Sequence, residues 1–407
     1  MNPIQDKRII LGVTGSIACY KAADLASKLT QAGAQVDVIL TESGARFIQP
    51  LTFQSVTGRK AYQEKDLWDD QGHVTHIGLG HHADLLVIAP VTANTIAKLA
   101  HGIADNLLTL TALAAACPLM IAPAMDGGMF THPAAQDNLA ILHRRGAIVV
   151  GPEEGRFASG MVGLGRMSEP QTILGEIRRV LAEGGPLAGR KVVVTAGGTQ
   201  EPLDPVRYLT NRSSGRQGYA LAQAAVDLGA QVILISAPAA LTLPAGADLI
   251  PVRTAAEMLE VVLDQTAKAD ILLMAAAVAD FKPASTANQK IKKGEDALTL
   301  PLTRTADILL QVGKRKAQTG FPRLMVGFAA ESENLLANAA QKLSAKHLEL
   351  IAANDISAAD AGFEVDTNRI TLLFPGGEQQ QLDLMSKAEV SAAILDRCVE
   401  LLAAKGG

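Results

Sequence analysis

Residues 195–222 carry the strongest chemical signal in the sequence, a glycine-rich turn followed by a long polar loop. The loop ends in the Ser-Ser-Gly sequence at 213–215, where a helix is predicted to begin. Hydroxyl groups and unpaired backbone N–H groups at a helix start form an anion site, to which Arg207 or Arg212 could add positive charge. A nicotinamide loop fits less well, because the strand at 231–236 is not followed by the acidic residue that binds a ribose.

A second group of residues in the same half suits a nucleoside triphosphate. The apolar run at 274–283 ends in small residues and Asp280, whose carboxylate can accept hydrogen bonds from a ribose hydroxyl or a base amino group. The Lys-Ile-Lys-Lys sequence at 290–293 follows in a polar stretch that suggests a flap, although alone it could be a solvated charge run. Lys342 and Lys346, spaced i, i+4 on one helix face, favour the phosphate-binding interpretation. No P-loop sequence occurs, which argues against a P-loop enzyme.

Three predicted strand ends in the first half carry glycine or hydroxyl groups. The sequence GVTGSIACYK at 12–21 joins a strand to a helix, and its glycines permit a tight turn whose N–H groups can hold a phosphate. Thr92 and Asn94 follow a second strand, and Thr41 ends a third. The first loop alone is equally compatible with a plain β–α turn, but the three ends together favour a flavin mononucleotide. The pattern GxGxxG is absent from this loop, so a nicotinamide cofactor is not indicated.

His76 lies on a predicted helix just before the strand at 84–90, which places it near the same edge of the sheet. An imidazole there can act as a base or anchor a carboxylate near neutral pH. His76 is one of four histidines within 73–82, for which surface or internally satisfied side chains are the simpler interpretation. No recognisable set of metal ligands is completed by carboxylates or cysteines, so the metal ligands stay unknown.

Strands and helices that must position these residues alternate along both halves of the chain. Unbroken apolar strand runs between helices predict parallel sheets that are covered on both faces. The segment Glu183–Arg190 contains adjacent glycines and a proline and is the best linker candidate. We therefore expect two tandem doubly wound, three-layer α/β domains at 1–182 and 191–407, with a linker at 183–190.

Composition argues against several other classes of protein. Of the 407 residues 48% are hydrophobic, and the 37 basic and 41 acidic residues give a net charge of −4, which disfavours a nucleic-acid or anionic-membrane binder. The uncharged stretch at 106–125 contains two prolines and is better explained as a helix and a short buried strand than as a membrane span. The three separated cysteines and the lack of a signal-peptide pattern favour a cytoplasmic protein without disulfides.

Several motifs resemble those of known families. The first half resembles the flavin-dependent cysteine decarboxylases through GVTGSIA, the helix bearing His76, APVTAN, PAMDGGMF and SGMVGLGRM. Nearly the whole chain resembles the bacterial bifunctional phosphopantothenoylcysteine decarboxylase/phosphopantothenate–cysteine ligase family of coenzyme A synthesis. This resemblance implies a flavodoxin-like flavoprotein domain followed by a Rossmann-like ligase domain. The FMN-binding positions that it implies are Gly15, Ser16, Thr41, Thr92 and Asn94.

For the first half, the resemblance implies FMN-dependent decarboxylation of 4′-phosphopantothenoyl-cysteine, with oxidation of the cysteine moiety before CO₂ leaves. His76 would hold the carboxylate or help to remove a proton. Two positions depart from the family pattern: Asp126 replaces an asparagine that hydrogen-bonds the substrate, and Ser159 replaces a cysteine that donates a proton. An ionised Asp126 offers only acceptors and would repel a carboxylate, and a serine hydroxyl is a poorer proton donor than a thiol. An active, a slow or uncoupled, and an inactive FMN-binding domain all stay open.

For the second half, the resemblance implies that CTP and Mg²⁺ activate 4′-phosphopantothenate as an acyl-cytidylate, which the cysteine amine then attacks. Asn211 would stabilise the acyl intermediate, and Lys290 would bind CTP and neutralise charge in the transition state. The other implied CTP-binding positions are Ala276, Asp280, Ala306, Asp307, Ile308, Leu309, Phe328, Lys342 and Lys346. The implied substrate-binding positions are Arg207, Ser213, Ser214 and Gly215.

The leading hypothesis is a bifunctional enzyme that makes 4′-phosphopantothenoyl-cysteine and converts it to 4′-phosphopantetheine. The alternative is a functional ligase with an impaired or uncoupled decarboxylase half, because Asp126 and Ser159 depart from the family pattern. A flavin-bearing scaffold and a tandem nicotinamide dehydrogenase are further hypotheses. The resemblance also implies a homo-oligomer that acts on small molecules rather than on nucleic acid or membranes.

Overall fold

The computed structural model describes residues 2–68, 74–156, 160, 162–293, 298–331, 334–355 and 367–405, without the side chains of 330, 331 and 355. The chain forms two compact units, one spanning Asn2–Leu181 and the other including Ala182–Gly407. Turns occupy most of 182–189, the region in which the linker was expected. Each unit has its own sheet and its own cores.

The N-terminal unit alternates between strands and helices through most of its length. Its elements are β1 (Arg8–Val13), α1 (Cys19–Gln31), β2 (Gln35–Leu40), α2 (Glu42–Ala45), α3 (Pro50–Thr57), β3 (Ala61–Tyr62), α4 (Thr75–His82), β4 (Leu85–Val91), α5 (Ala93–His101), α6 (Leu107–Ala114), β5 (Leu119–Pro123), α7 (Gly127–Thr131), α8 (Pro133–Arg144), β6 (Ile148–Val149), β7 (Glu153–Arg156), β8 (Val162–Arg166) and α9 (Pro170–Leu181). These bounds agree within a few residues with the strands and helices expected from the apolar runs.

The six-stranded sheet of this unit is parallel, in the order β3-β2-β1-β4-β5-β6. One core lies on the face covered by α1, α3 and α9, and Leu25 and Phe53 are fully buried there. The other core lies under α5, α6 and α8, where Ile96 is fully buried. Because both faces are covered, β4 has no solvent-facing position and its seven residues are all buried.

Two segments of this unit bear on expectations from the sequence. Residues 106–125 form α6 and β5, and no helix in the described ranges is long and apolar enough to span a membrane. The SGMVGLGRM motif contains glycines that are typical of a loop, and that interpretation is wrong for its C-terminal part, because Val162–Arg166 is strand β8. Glycine has a low strand propensity, so the sequence does not indicate a strand here. Antiparallel pairing with β7 supplies the hydrogen-bond partners of the backbone.

The C-terminal unit repeats the alternation and adds a late antiparallel segment. Its elements are β9 (Lys191–Ala196), β10 (Gln200–Pro202), β11 (Tyr208–Thr210), α10 (Arg216–Asp227), β12 (Gln231–Ser236), β13 (Ala247–Pro251), α11 (Ala255–Gln265), β14 (Ile271–Met274), β15 (Phe281–Pro283), β16 (Leu302–Arg304), α12 (Ile308–Thr319), β17 (Leu324–Glu331), α13 (Leu335–Ala345), β18 (Leu350–Asp355), β19 (Thr367–Asn368), β20 (Ile370–Leu373), β21 (Gln379–Gln381), β22 (Met385–Ser386) and α14 (Lys387–Lys405).

The eight-stranded sheet of this unit has the order β13-β12-β9-β14-β17-β18-β20-β21. Its strands are parallel as far as β18, and β20 and β21 continue it antiparallel. Helices α10 and α14 cover one face, and α11, α12 and α13 cover the other. The predicted class, two doubly wound three-layer α/β domains, is therefore confirmed.

Close packing of α10 on β9 depends on Gly218. A Cβ at this position would lie 2.5 Å from the Ala196 Cβ and 2.8 Å from the Thr195 backbone oxygen. Since the strand cannot move aside, we expect Gly218→Ala to lower the free energy of unfolding by about 1–3 kcal/mol, the usual cost of overpacking. Differential scanning calorimetry of the full chain measures the change.

Gly313→Ala is the matched control in the same unit. Gly313 also lies inside a helix, α12, but a Cβ there makes only an ordinary contact of 3.5 Å with the Lys346 backbone oxygen. The free energy of unfolding of this variant should rise by about 0.5–1 kcal/mol, because alanine is a better helix former than glycine. Equal effects of the two substitutions would contradict the packing argument.

Candidate active sites

The strand order of the N-terminal unit reverses between β1 and β4, so a crevice opens at the carboxyl ends of these strands. Thr14 joins the two loops that border it. Its Oγ1 donates to the Pro90 backbone oxygen at 2.9 Å and accepts from the Thr92 N–H at 3.0 Å. In the part of the chain that the structure describes, the N–H groups of residues 15–17 have no acceptor. These three amides are available to an anion.

The loops after β1 and β2 approach each other closely at Gly15. A Cβ at Gly15 would lie 2.5 Å from the Ser43 Cβ, so no larger residue fits without displacing the second loop. Thr41 fixes that second loop, because its Oγ1 accepts from the Gly44 N–H at 3.1 Å. Two predicted FMN-binding positions, Gly15 and Thr41, are thereby held at neighbouring strand ends.

Thr92 and Asn94 lie at the start of α5. The Thr92 Oγ1 caps the helix and lies 3.3 Å from the Thr95 Oγ1. Asn94 is exposed, and its side chain has no hydrogen bond to any described residue. Free amides, hydroxyl groups and an exposed carboxamide are the donors that a phosphate and a polar ring edge require, so these residues fit a flavin mononucleotide.

His76 is half-buried on α4, the helix that packs against α6. Its Nδ1 is shielded from water and has no hydrogen-bond partner among the described residues. A buried polar atom without a partner costs free energy, and a bound molecule would remove that cost. This observation is consistent with a ligand-facing histidine.

Asp126 caps the short helix α7, where its Oδ1 accepts from the Gly128 N–H at 2.9 Å. An N–H donor partly offsets the negative charge of an aspartate, which would otherwise repel a substrate carboxylate at this position. The Met125 N–H donates to the Gly165 oxygen at 3.0 Å, which ties the β7–β8 hairpin to the Asp126 loop. Ser159, the other departure from the family pattern, lies outside the described residues.

A cavity of about 730 Å³ lies at the carboxyl edge of the C-terminal sheet. This volume is within the range of small-molecule sites. Most of the predicted CTP- and substrate-binding residues line it together: Asn211, Ser213, Ser214, Gly215, Ala276, Asp280, Ala306, Asp307, Ile308, Leu309, Phe328, Lys342 and Lys346. The structure therefore brings distant parts of the sequence to one place.

Hydrogen bonds of ordinary length and one ion pair hold the polar wall of this cavity. The Asn211 Nδ2 donates to the Val278 backbone oxygen at 3.1 Å. The Thr305 N–H donates to the Asp280 backbone oxygen at 3.0 Å. Asp307 caps α12 and forms an ion pair with Lys346, with 3.0 Å between Oδ2 and Nζ. The Asp307 carboxylate thus already neutralises part of the Lys346 charge.

Arg207 and Lys290 do not line the cavity. The Arg207 guanidinium contacts the buried Asp204 carboxylate at 2.6 Å and donates to the Ile291 backbone oxygen at 2.6 Å. Burial raises the pKa of Asp204, but hydrogen bonds from Arg207 and from the N–H groups of Val206, Ile291 and Arg207 outweigh it and hold that pKa well below its usual range. The Asp204–Arg207 pair therefore anchors the residue next to Lys290.

Sequence reasoning missed several residues that line the cavity. They are Arg216, Gln217, Arg304, Asn354, Asn368, Ile370 and Lys387. No role was predicted for Asn354, and nothing in the local pattern pointed to Asn368 or Lys387. Their position depends on the antiparallel pairing of β18 with β20.

Comparison with known proteins covers both units. The Flavoprotein family model matches residues 2–182, and the DNA/pantothenate metabolism flavoprotein C-terminal domain model matches residues 187–402. The Coenzyme A biosynthesis bifunctional protein CoaBC of Bacillus subtilis is 47% identical over 98% of both chains. This chain belongs to the CoaBC family.

A second CoaBC protein and the solved C-terminal domain of another are also similar to this chain. The Mycobacterium tuberculosis protein is 44% identical, over 98% of this chain and 97% of its own. A crystal structure of the C-terminal domain of a CoaBC protein is 37% identical, covers 54% of this chain and 99% of that chain, and has a TM-score of 0.46.

Membership of the CoaBC family confirms the resemblance found in the sequence. The chain is a bifunctional enzyme of coenzyme A biosynthesis, with decarboxylase activity in the flavoprotein unit and ligase activity in the C-terminal unit. The individual roles of the site residues stay predictions.

Proposed function

We propose that the ligase unit uses CTP with Mg²⁺ to join 4′-phosphopantothenate to cysteine, and that the flavoprotein unit uses FMN to decarboxylate the product. The single cavity of about 730 Å³ that gathers the predicted nucleotide and acyl positions is the main support for the first step. The free amides at 15–17 and the unpartnered His76 support the second.

In the ligase step, the cavity has to hold a triphosphate beside a carboxylate. The start of α10 at Arg216 and the amine of Lys342 supply positive potential, and the exposed Asp280 can share a Mg²⁺ ion with phosphate oxygens. No group of three metal-ligating side chains exists among the residues described, which suits an ion held mainly by the nucleotide. The Asp204–Arg207 pair keeps the Lys290 segment beside the polar loop.

The ligase reaction then transfers an acyl group from phosphate to nitrogen. The carboxylate attacks the α-phosphate of CTP, and pyrophosphate leaves. The cysteine amine attacks the acyl carbon of the cytidylate, a C–N bond forms, the bond to the CMP oxygen breaks, and the amine protons pass to water. Asn211 lies where the acyl group would be held, although its Nδ2 must exchange the Val278 contact to donate to an acyl oxygen.

In the decarboxylation step, FMN would supply hydride chemistry at the cysteine carbon next to sulfur. The amides at 15–17, Thr41 and Asn94 would bind and orient this cofactor at the crevice between β1 and β4. His76 would hold the substrate carboxylate or move a proton through its unpartnered Nδ1. The β7–β8 hairpin, which is bonded to the Asp126 loop, would cover the substrate.

The two departures from the family pattern give a direct test of the decarboxylase. Asp126→Asn keeps a good helix cap, so stability should hold, and it removes a negative charge from the substrate pocket. We expect the KM for 4′-phosphopantothenoyl-cysteine to fall about tenfold, which corresponds to a gain of roughly 1.4 kcal/mol in binding free energy.

Ser159→Cys should instead raise the kcat of decarboxylation, because a thiol is a stronger acid than a serine hydroxyl. CO₂ release and flavin absorbance, followed anaerobically, measure both.

The ligase unit of the same variants is the internal control, since CTP-dependent amide formation should keep its wild-type rate. Flavin that stays reduced in the wild type and is reoxidised in Ser159→Cys would favour the uncoupled decarboxylase instead. A wild-type protein that cannot be loaded with FMN would contradict the proposal. Assembly into a homo-oligomer remains part of the proposal.

A further inference from the structure

A chain of hydrogen bonds connects four residues at the α10–α14 side of the ligase cavity. The Ser391 hydroxyl donates to the Lys387 backbone oxygen at 2.7 Å, so its own oxygen is left to accept. The Gln217 Nε2 donates to that Ser391 oxygen at 2.9 Å. The Asn368 Nδ2 then donates to the Gln217 Oε1 at 2.9 Å.

This chain fixes the orientation of both carboxamides. If Gln217 were flipped, its oxygen would face the Lys387 backbone oxygen and would compete with that oxygen for the single proton of the Ser391 hydroxyl. With Gln217 fixed, Asn368 must direct its Nδ2 to Gln217 and keep its Oδ1 as an acceptor. Asn368 is only 3% exposed, and its Oδ1 has no donor among the described residues. The fold therefore maintains a buried acceptor that lacks a partner.

Asn354 supplies a second acceptor of the same kind. Its Oδ1 is also buried without a described partner. Asn354 pairs with Ile370 across β18 and β20, so these two side chains share one face of the sheet. Asn368 lies in β19, which pairs with β22, and its bond to Gln217 of α10 places it on the side of that face. That face is the one covered by α10 and α14. Asn354, Asn368 and Ile370 all line the cavity.

Two of the predicted CTP ligands come from the opposite face. Asp307 and Lys346 belong to the ends of α12 and α13, which cover the second core of this unit. Phe328, another predicted CTP position, packs against the core under α10 and α14, so the cavity is lined from both faces of the sheet.

Two neutral oxygen acceptors require a ligand group with several N–H donors. An α-ammonium group has three, and the N-terminus of α10 in the same cavity suits the carboxylate of the same molecule. We infer that Asn368 and Asn354 form the subsite that holds the amino group of the amino-acid substrate, which is cysteine under the proposed ligase function. This inference rests on that function and adds the residues that select the nucleophile.

Neutral acceptors also suit the reaction. A carboxylate beside the amine would favour the ammonium form and raise the pKa of the nucleophile, whereas an amide oxygen accepts from NH₂ and NH₃⁺ alike. The amine can lose its proton and keep two hydrogen bonds, which leaves its lone pair free for the acyl carbon.

The test measures the two half-reactions separately in the full-length enzyme. Asn368→Ala should raise the KM for cysteine at least about tenfold, the cost of losing a hydrogen bond to a charged group. Pyrophosphate release from CTP and 4′-phosphopantothenate in the absence of cysteine should keep the wild-type rate. Gln380→Ala removes a carboxamide from the exposed strand β21. It should leave the KM for cysteine and the rate of pyrophosphate release unchanged.

Asn368→Asp tests the chemistry without removing the side chain. The added carboxylate should shift the acidic limb of the kcat profile at saturating cysteine upward by about one pH unit, because kcat reports the bound amine, while the pH profile of pyrophosphate release stays fixed. A purely structural role of Asn368 would not produce this selective shift. Thermal unfolding of both variants checks that they are folded.

Several results would overturn the inference. An unchanged KM for cysteine in Asn368→Ala would show that the acceptor does not bind the amine. Loss of cysteine-independent pyrophosphate release, with a raised requirement for CTP or Mg²⁺, would assign the acceptors to the nucleotide or its metal ion. A wild-type enzyme that releases no pyrophosphate from CTP would instead overturn the proposed ligase function itself.

Discussion

Replacing His76 by glutamine is expected to reduce CO₂ release from 4′-phosphopantothenoyl-cysteine by about 100-fold or more, the usual contribution of a positioned acid–base group. The reason is the His76 Nδ1, which is shielded from water and has no partner among the described residues, so that a substrate group would complete its hydrogen bonding. Glutamine keeps a polar side chain of similar size but cannot exchange a proton near neutral pH. The rate of CO₂ release at saturating substrate measures the effect.

His81→Gln provides the matched control on the same helix. His81 is exposed near the end of α4, so its loss should leave decarboxylation at the wild-type rate. CTP-dependent amide formation should persist in both variants, because it takes place in the other compact unit. Equal rates of CO₂ release in the two variants would remove His76 from the mechanism.

Asn211→Ala is expected to abolish the other activity, lowering CTP-dependent amide formation by about 100-fold or more, as loss of a transition-state hydrogen-bond donor does. The Asn211 side chain lines the cavity and is positioned through the Val278 backbone oxygen at 3.1 Å. Its amide can exchange that weak contact for the developing charge on the acyl oxygen. Amide product formed from CTP, 4′-phosphopantothenate and cysteine measures the loss, which should appear in kcat rather than in the KM for CTP.

Asn288→Ala controls for removal of an asparagine from the same unit. Asn288 is exposed and does not line the cavity, so amide formation should continue unchanged. Decarboxylation of supplied 4′-phosphopantothenoyl-cysteine should survive in both variants. Amide formation at the wild-type rate in Asn211→Ala would exclude the proposed role of this residue.

The features that could be predicted are those that depend on short segments of the sequence, such as buried strands and the residues that follow them. Unbroken apolar runs such as 85–91 could only be strands buried on both faces, and β4 is fully buried. In a parallel sheet the carboxyl ends of strands meet at one edge, so residues placed just after such runs were expected to converge. Asp280, which follows β14, and Ser213, in the polar loop after β9, do line one cavity, although they are far apart in sequence.

Other interpretations could not be correct from the sequence alone, because a local sequence pattern does not show which strands or side chains will pair. The glycines of 162–166 suggested a loop, yet the segment is a strand that gains its hydrogen bonds from β7. The family resemblance implied that Arg207 binds substrate. The structure pairs Arg207 with the buried Asp204 carboxylate and places it outside the cavity lining, and its role toward substrate stays a prediction.

The sequence by itself determined the two α/β domains and most of the residues that converge at the carboxyl edge of each sheet. These features depend on apolar periodicity and on residue types at strand ends, both of which are local. Only the tertiary structure decided that Asn354 and Asn368 line one cavity, because β20 returns antiparallel beside β18 and β19 precedes it. It also decided that a fixed chain of hydrogen bonds leaves the Asn368 oxygen as a buried acceptor, a property that depends on partners up to 151 residues away.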